Sequence, residues 1–360
     1  MNVLLFIDNL GSGGAQRQIV NLAILFKNEG HNVKILVYGE QDFFAKKLID
    51  NNIEIVKIVE KKYLNRILKI RKFIKKGWQD VLISFLDVPN FIACFSAIGK
   101  KKWKLITNER SCTEYTFLGI KNKIFKWFEK FADYKVCNSI AGKTLWLKYY
   151  PKMINKIDVI YNYVDLNINF TENEIRENEK IVITVAASYQ KIKNILNVIE
   201  AVNLLKDEDK SKILINWYGN KEVTTGNTLV YKKAMNLINK YSLGETIKLY
   251  DATKDIYNKM IESDFVGLFS EYEGLPNTIC EAISLGKPII MTPVSDFDVL
   301  VDGNGVLCSG FDCESITVAL NEILNIPSNQ LILMRENSKN IAEKLFNKNT
   351  ILEKWLKLFY

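Results

Sequence analysis

Residues 265–292 read FVGLFSEYEGLPNTICEAISLGKPIIMT. The outer runs, FVGLFS and PIIMT, are too continuously apolar for a strand with one wet face. Between them, 277–285 follows a helical pattern behind a loop containing glycine and proline. Strand, loop, helix and strand in that order form the crossover unit that joins neighbouring parallel strands, and parallel strands are buried on both faces. This stretch therefore predicts a parallel sheet covered by helices.

Working outward, the same alternation recurs on both sides. Upstream in the second half come IVITVAAS (181–188), a helix over 194–205, ILINWYG (213–219), a helix over 230–241, TIKLYD (246–251) and a helix over 256–262; GVLC (305–308) follows downstream. The first half repeats the pattern with MNVLLFID, VKILVYG, IEIVKIV, VLISFL, KLITNER and YKVCNS, separated by helical patterns over 16–28, 43–51, 65–76, 89–99 and 120–133. The polar run LNINFTENEIRENEK (166–180) after VIYNYVD lacks an apolar face and is expected to be a linker. At 360 residues the chain suits two cores rather than one. Two Rossmann-like α/β domains are expected, over 1–165 and 166–340. The tail over 341–360, with Trp355, Leu358 and Phe359 on one stripe, is expected to be a helix packed on a core.

Composition narrows the function. No apolar stretch approaches the roughly 18 to 20 residues needed to span a bilayer, and the start of the chain reads as a buried strand rather than a signal, so a cytoplasmic protein is expected. The six cysteines form no C-x-x-C pair, and His31 is the only histidine, so a Cys/His zinc set cannot be assembled. Residues 1–165 carry about 28 Lys and Arg against about 15 Asp and Glu, whereas the remainder carries about 21 against about 26. The net charge of +8 is thus concentrated in the first half. The segments NRILKIRKFIKKGW (65–78) and LGIKNKIFKWFEKF (118–131) mix that charge with apolar residues. They fit helices packed on a sheet, and also an anionic membrane surface or a lipid-diphosphate acceptor. No nucleic-acid recognition module accompanies them, and no nucleic-acid partner is expected.

Two loops carry chemistry. The first strand runs into GSGGAQR (11–17), where Gly13 and Gly14 let backbone amides at a helix start approach an anion. Gln16 stands where the dinucleotide fingerprint needs its third glycine, which disfavours a nicotinamide enzyme. In the second loop, Glu273 and Glu281 stand eight residues apart, one in the loop and one a turn into the helix. Between them, Gly274, Leu275, Pro276, Asn277 and Thr278 offer backbone groups to a phosphate or sugar hydroxyls, with Pro276 offering only its carbonyl. Glu273 suits a sugar hydroxyl and Glu281 a vicinal ribose diol.

The segment SEYEGLPNTICEAISLGKPII (270–290) resembles the retaining glycosyltransferases of family 4, which have the GT-B fold and an E-x7-E signature. GSGGAQRQIVNLA is similar to that family's glycine-rich first loop, and VIYNYVD to its interdomain strand, matching at Asn162, Val164 and Asp165 but not at Tyr161 and Tyr163. The resemblance implies two facing parallel-sheet domains with a cleft between them, and a C-terminal helix over 341–360 that crosses back onto the first. It also implies a nucleotide-sugar donor bound mainly by the second domain, UDP-sugar favoured over GDP-sugar, and a glycan or lipid-linked acceptor bound by the first. No resident cofactor and no metal are then expected. Glu273 would contact the donor sugar and Glu281 the ribose. The family also neutralises the donor diphosphate with an Arg and a Lys after the first strand of the second domain. Here the lysine is Lys193, with Lys191 as the alternative, while Ala187 or Ser188 stands where the arginine would be.

Three further expectations follow. Glu109 and Arg110, at the end of KLITNER, are similar to an S-E-R variant of the family and are candidates to hold donor or acceptor, against a structural ion pair. His31 is read as structural. Asp296 and Asp298 form a D-x-D but follow a strand of the α/β repeat, so no metal is assigned to them. Rival readings are a nucleotide-sugar epimerase of the same fold and a degenerate nucleotide-sugar-binding scaffold; the product of the reaction separates the three.

Overall fold

The structure, a computed structural model, describes residues 1–110, 113–164, 180–222 and 226–360. Cys112, Asp165 and all of the expected linker except Lys180 lie outside the described residues. The chain divides into two units, Met1–Asp165 with Asn347–Tyr360, and Leu166–Phe346. The second unit runs past the boundary expected at 340 because the helix Ser328–Phe346 is continuous across it.

In the first unit the described strands are β1 (Asn2–Phe6), β2 (Asn32–Val37), β3 (Glu54–Lys57), β4 (Val81–Phe85), β5 (Lys104–Glu109), β6 (Tyr134–Cys137) and β7 (Ile157–Val159). They pair in the order β3-β2-β1-β4-β5-β6-β7, every pair parallel. Side chains alternate across a strand. Val3 and Leu5 of β1 accordingly enter one core layer while Leu4 and Phe6 enter the other. The first layer holds the helix Gly14–Asn28 and the C-terminal helix Lys348–Lys357. Phe26 meets Trp355 and Phe359 edge-on, with ring centres 6.2 and 5.2 Å apart. The tail therefore belongs to the first unit. His31 packs edge-on against Phe26 and Phe359, the structural role expected of it. The second layer is built from the helices Tyr63–Lys75, Asp87–Ala97 and Ile120–Phe128, the last extended by a tighter turn over Glu129–Phe131.

The second unit's described strands are β8 (Ile181–Ala186), β9 (Ile213–Gly219), β10 (Ile247–Asp251), β11 (Phe265–Leu268), β12 (Ile289–Met291) and β13 (Gly305–Leu307), in the order β10-β9-β8-β11-β12-β13 and again all parallel. Trp217 and Tyr189 are fully buried beside the exit of β8. The Trp217 indole donates to the Ala187 carbonyl at 2.7 Å, and the Tyr189 hydroxyl donates to the carbonyls of Trp217 and Tyr250 at 3.1 and 2.9 Å. Gly219 is required here, since a Cβ on it would lie 2.0 Å from the Ala187 oxygen. The backbone leaving β8 is therefore pinned.

Both sheets reverse strand order, between β1 and β4 and between β8 and β11. At such a point consecutive crossovers leave in opposite directions, and a crevice opens beyond the carboxyl ends of the strands. Among the described residues, two helices longer than a single turn escaped the sequence reading, Ile140–Tyr149 and Cys313–Leu324. The first has no well-developed apolar side and starts only because the Ser139 hydroxyl caps it, accepting from the Gly142 amide at 3.0 Å.

Candidate functional site

The residues singled out in the second unit converge on the reversal between β8 and β11. β8 delivers 187–190 and a tight turn over Lys191–Lys193; β11 delivers 269–276 and then the helix Asn277–Ser284. Two bonds tie the segments together: the Glu271 amide donates to the Ile192 carbonyl at 2.9 Å, and the Thr278 hydroxyl donates to the Ala186 carbonyl at 3.1 Å. Across this junction Lys193 Nζ meets Glu273 Oε1 at 2.5 Å, and the Ser270 hydroxyl donates to the same oxygen at 2.7 Å. The side chains of Lys193 and Glu273 remain 22 and 16% exposed, so the pair is open to solvent. Lys191, the alternative lysine, is exposed on the same turn.

Several residues without a role in the sequence reading hold this geometry. Asn194 adopts a left-handed backbone (φ +66°) just before the helix Ile195–Leu204, and its side-chain amide donates to the Phe311 carbonyl at 2.7 Å. Thr292 donates to the Ser270 carbonyl at 2.7 Å, and Ser295, also left-handed (φ +56°), donates to the Gly274 carbonyl. Non-glycine residues in this conformation cost free energy and persist only where the surroundings hold them. Their sequence signal was confined to Asn preceding a helix; Thr292 and Ser295 act through contacts distant in sequence.

Glu281 is buried one turn into the helix Asn277–Ser284. Pro276 precedes that helix, and its carbonyl accepts from the amides of Ile279 and Cys280, both at 3.1 Å. Gly274 is partly exposed and Leu275 buried, while Asn277 and Thr278 lie partly exposed in the first helical turn. Burial pushes the Cys280 thiol well above the usual range, with Glu281 and Asp296 adding to the rise, so this cysteine stays a neutral thiol. Asp296 is buried whereas Asp298 is exposed. The two carboxylates of the D-x-D thus occupy different surroundings.

In the first unit, Gly13 and Gly14 are exposed at the start of the helix Gly14–Asn28, with Gly13 as its N-cap. A Cβ on Gly13 would lie 2.3 Å from Gln16 Oε1. The Gln16 side chain folds over the loop and donates to Asp8 Oδ1 at 3.0 Å. The departure from the dinucleotide fingerprint therefore has a structural job. Burial raises the Asp8 carboxyl against the lowering effect of that bond and of the Asn9 amide.

Glu109 is placed differently from the expectation of a substrate contact. Its Oε2 accepts from Lys126 Nζ at 2.8 Å and from the Trp146 indole at 2.9 Å, and its Oε1 accepts from the Arg110 amide at 3.1 Å. Burial works against its charge, but Lys126 and Lys135 outweigh that effect and hold the carboxyl down at about 2. Both oxygens are committed inside the unit, which makes Glu109 a structural anion paired with Lys126. The Arg110 guanidinium stacks on Phe85 at 4.0 Å and donates to Asn162 Oδ1 and, at 3.3 Å, to Asn108 Oδ1. Burial lowers it to about 9. Arg110 ties the end of β5 to Asn162, the residue that carried the interdomain resemblance.

Comparison with known proteins identifies the family and the fold. The sequence model for Glycosyltransferase Family 4 matches residues 12–168, and that for Glycosyl transferases group 1 matches residues 167–344. A Campylobacter jejuni enzyme, the GalNAc-alpha-(1->4)-GalNAc-alpha-(1->3)-diNAcBac-PP-undecaprenol alpha-1,4-N-acetyl-D-galactosaminyltransferase, is 25% identical over 375 residues, spanning 99% of this chain and 98% of its own. The amylovoran biosynthesis glycosyltransferase AmsD of Erwinia amylovora is 23% identical over 379 residues, 98% of each chain. Among solved structures, HepE of Anabaena in complex with UDP superposes with a TM-score of 0.85 at 16% identity over 99% of each chain. The apo lipopolysaccharide outer core galactosyltransferase WaaB gives 0.75 at 15% over 98% of each. These neighbours share the GT-B fold of two parallel-sheet domains, and the two family matches divide at the border between the two units. With its Glu273 and Glu281 loop at the reversal of the second sheet and both halves matched in order, the chain belongs to the family 4, group 1 glycosyltransferases.

Proposed function

We propose that this glycosyltransferase moves a sugar from a nucleoside-diphosphate sugar, UDP-sugar in preference to GDP-sugar, to a glycan or lipid-linked acceptor in bacterial surface polysaccharide or glycoconjugate synthesis. Transfer proceeds with retention at the anomeric carbon and without a catalytic metal. The observation that carries this reading is the Lys193–Glu273 pair across the β8/β11 reversal. A leaving diphosphate gathers negative charge, and preorganised positive groups stabilise it most where water is excluded. Lys193, supported by Lys191, supplies that charge in place of the absent arginine. Glu273 accepts from donor sugar hydroxyls, Glu281 from the ribose, and the backbone of 274–278 holds sugar and phosphate. Within the first unit, Gly13 and Gly14 expose backbone amides at a helix start, suited to an anion.

In the chemical step the bond between the anomeric carbon and the phosphate oxygen breaks while the acceptor oxygen bonds to the same face of that carbon. The acceptor proton passes to the departing phosphate. No protein nucleophile is needed, and the Ser270 hydroxyl beside Glu273 is engaged with that carboxylate. The donor assignment is supported by HepE, solved with UDP and with UDP-glucose, and the acceptor class by the Campylobacter jejuni relative, whose name includes an undecaprenol diphosphate. Among the described residues no helix is long and apolar enough to cross a membrane. We place the encounter with a lipid-linked acceptor at the cytoplasmic membrane surface.

The test is a thermal-shift screen against UDP- and GDP-sugars with and without EDTA, followed by product analysis. Ligand at 100 times its dissociation constant adds about 2.7 kcal/mol. An EDTA-insensitive shift with one donor, and a product with the donor's anomeric configuration, are expected. An epimerised donor, or no shift with any donor, would overturn the reading.

A further inference from the structure

The helices Tyr63–Lys75 and Ile120–Phe128 flank the helix Asp87–Ala97 in one layer of the first unit. Their inward sides are accounted for: Ile67, Ile70 and Ile74 enter the core, while Phe125 stacks on Phe91 at 4.5 Å and Phe128 meets it edge-on at 4.9 Å. Their outward sides are apolar as well. Ile120, Ile124 and Trp127, one ridge at spacings of four and three residues, are 80, 48 and 52% exposed. Leu64 and Leu68 form a second exposed pair, four residues apart, on the other flanking helix. A surface helix normally turns such residues inward, and exposed apolar ridges of this kind mark interaction surfaces.

Charge says what the surface meets. Lys121, Lys123 and Lys130 are exposed around the Ile120–Trp127 ridge, and Lys130 Nζ sits 3.2 Å from the centre of the Trp127 ring. The one acid between 120 and 130, Glu129, is buried and bonded to Lys135 at 3.0 Å, so it offers nothing outward. Residues 61–78 contain no acid. Apolar residues and tryptophan bordered chiefly by lysine, with the nearby acids Glu60 and Glu114 paired to Lys69 and Lys148, match the boundary of an anionic bilayer, where apolar side chains sink below the headgroups and lysines stay among the phosphates. A protein partner would have to supply a uniformly acidic rim around an apolar furrow.

We infer that the outer face of this layer is a membrane-docking surface for anionic phospholipid, with the helix Ile120–Phe128 lying in the interface and Ile120, Ile124 and Trp127 inserted. The inference deepens the proposed use of a lipid-linked acceptor and names the surface responsible. It is tested on the full chain by co-sedimentation with phosphatidylcholine vesicles, with and without about one third phosphatidylglycerol, at low salt. Preferential binding to the anionic vesicles is expected. Replacing both Lys121 and Lys123 by Gln should weaken it about twenty-five-fold, from about five-fold per lysine, whereas Arg at both positions should retain it. Ile124→Glu with Trp127→Glu should abolish it.

All variants should keep the wild-type circular dichroism spectrum and melting temperature, because these side chains are exposed. Equal binding by wild type and the Glu variants, or no preference for the anionic vesicles, would overturn the inference. So would self-association in solution that the Glu variants abolish, which would assign the face to a second copy of the chain. Vesicle binding is read without turnover. Loss of binding in the variants therefore sustains the surface even if no nucleotide-sugar shifts the melting temperature, an outcome that would remove only the transferase reading.

Discussion

The chain places a lysine against a glutamate at the carboxyl end of a parallel sheet in each of its units, and the two pairs do opposite work. Lys126 and Glu109 are 1 and 8% exposed, and both Glu109 oxygens are filled by Lys126, Trp146 and a backbone amide. Lys193 and Glu273 are 22 and 16% exposed and stand on two loops leaving the strands where sheet order reverses. The first pair is buried, and each Glu109 oxygen already has a donor from the protein. The second is held in place by loops that other side chains anchor, yet it faces solvent. Charge pairing alone does not mark a site; what matters is whether the fold leaves the pair reachable.

The strongest way to break this comparison is Glu109→Gln. It removes one partner of a buried pair and leaves the Lys126 charge to the half-exposed Asp87 at 2.8 Å and the Trp146 ring at 4.8 Å. Such a change costs about 3–5 kcal/mol, read as a lowered denaturation midpoint, while a donor should still raise the melting temperature. Next in size is Glu273→Gln, which should lower turnover about 10²–10³-fold, equivalent to about 2.7–4 kcal/mol, if the group acts at the transition state. Stability should change by no more than about 1 kcal/mol, the scale of a solvent-accessible pair. Should Glu273→Gln unfold the protein while Glu109→Gln spares stability and abolishes turnover, the two pairs have been assigned the wrong way round.

A finer test compares Glu273→Ala with Glu281→Ala by steady-state kinetics. The former should reduce kcat and the latter chiefly raise KM, because ribose contacts are shared by ground and transition states. Equal, small losses in both would count against the assigned roles. The mildest effect is that of pH. The Glu109 carboxyl is depressed from 4.5 to about 2, so its stabilisation is fully present above about 4.5 and is lost as pH falls through about 2. Denaturation midpoints should therefore be insensitive to this pair from pH 7 to 5 and fall below that, with the acid limb flattened in Glu109→Gln.

Much of this was legible because it depends on local pattern. Apolar runs of four to seven residues alternating with helical segments announce parallel α/β units, and Gly274 and Pro276 between two such units mark a loop at a strand end. The stripe of Trp355, Leu358 and Phe359 foretold a packed tail, and it packs on Phe26. The helix Ile140–Tyr149 was not legible, since it is weakly sided and depends on the Ser139 cap.

At the sites the division is sharper. Chain chemistry picked out Glu273 and Glu281, because carboxylates around a Gly/Pro loop between two apolar runs have few bland explanations, and the family resemblance added Lys193. Sequence also placed Glu109 and Arg110 at a strand end, but left open whether they meet a ligand or each other. Tertiary structure decided that question, because the Lys126 and Trp146 that fill Glu109 lie 17 and 37 residues away. It likewise decided that Lys193 reaches Glu273, 80 residues on, and that Thr292 and Ser295 support the loop between. Periodicity and loop composition are short-range properties of a chain and can be read along it. Burial and completed hydrogen bonding are properties of what the fold brings together, and they determine whether a charged side chain is spent on stability or kept for a ligand.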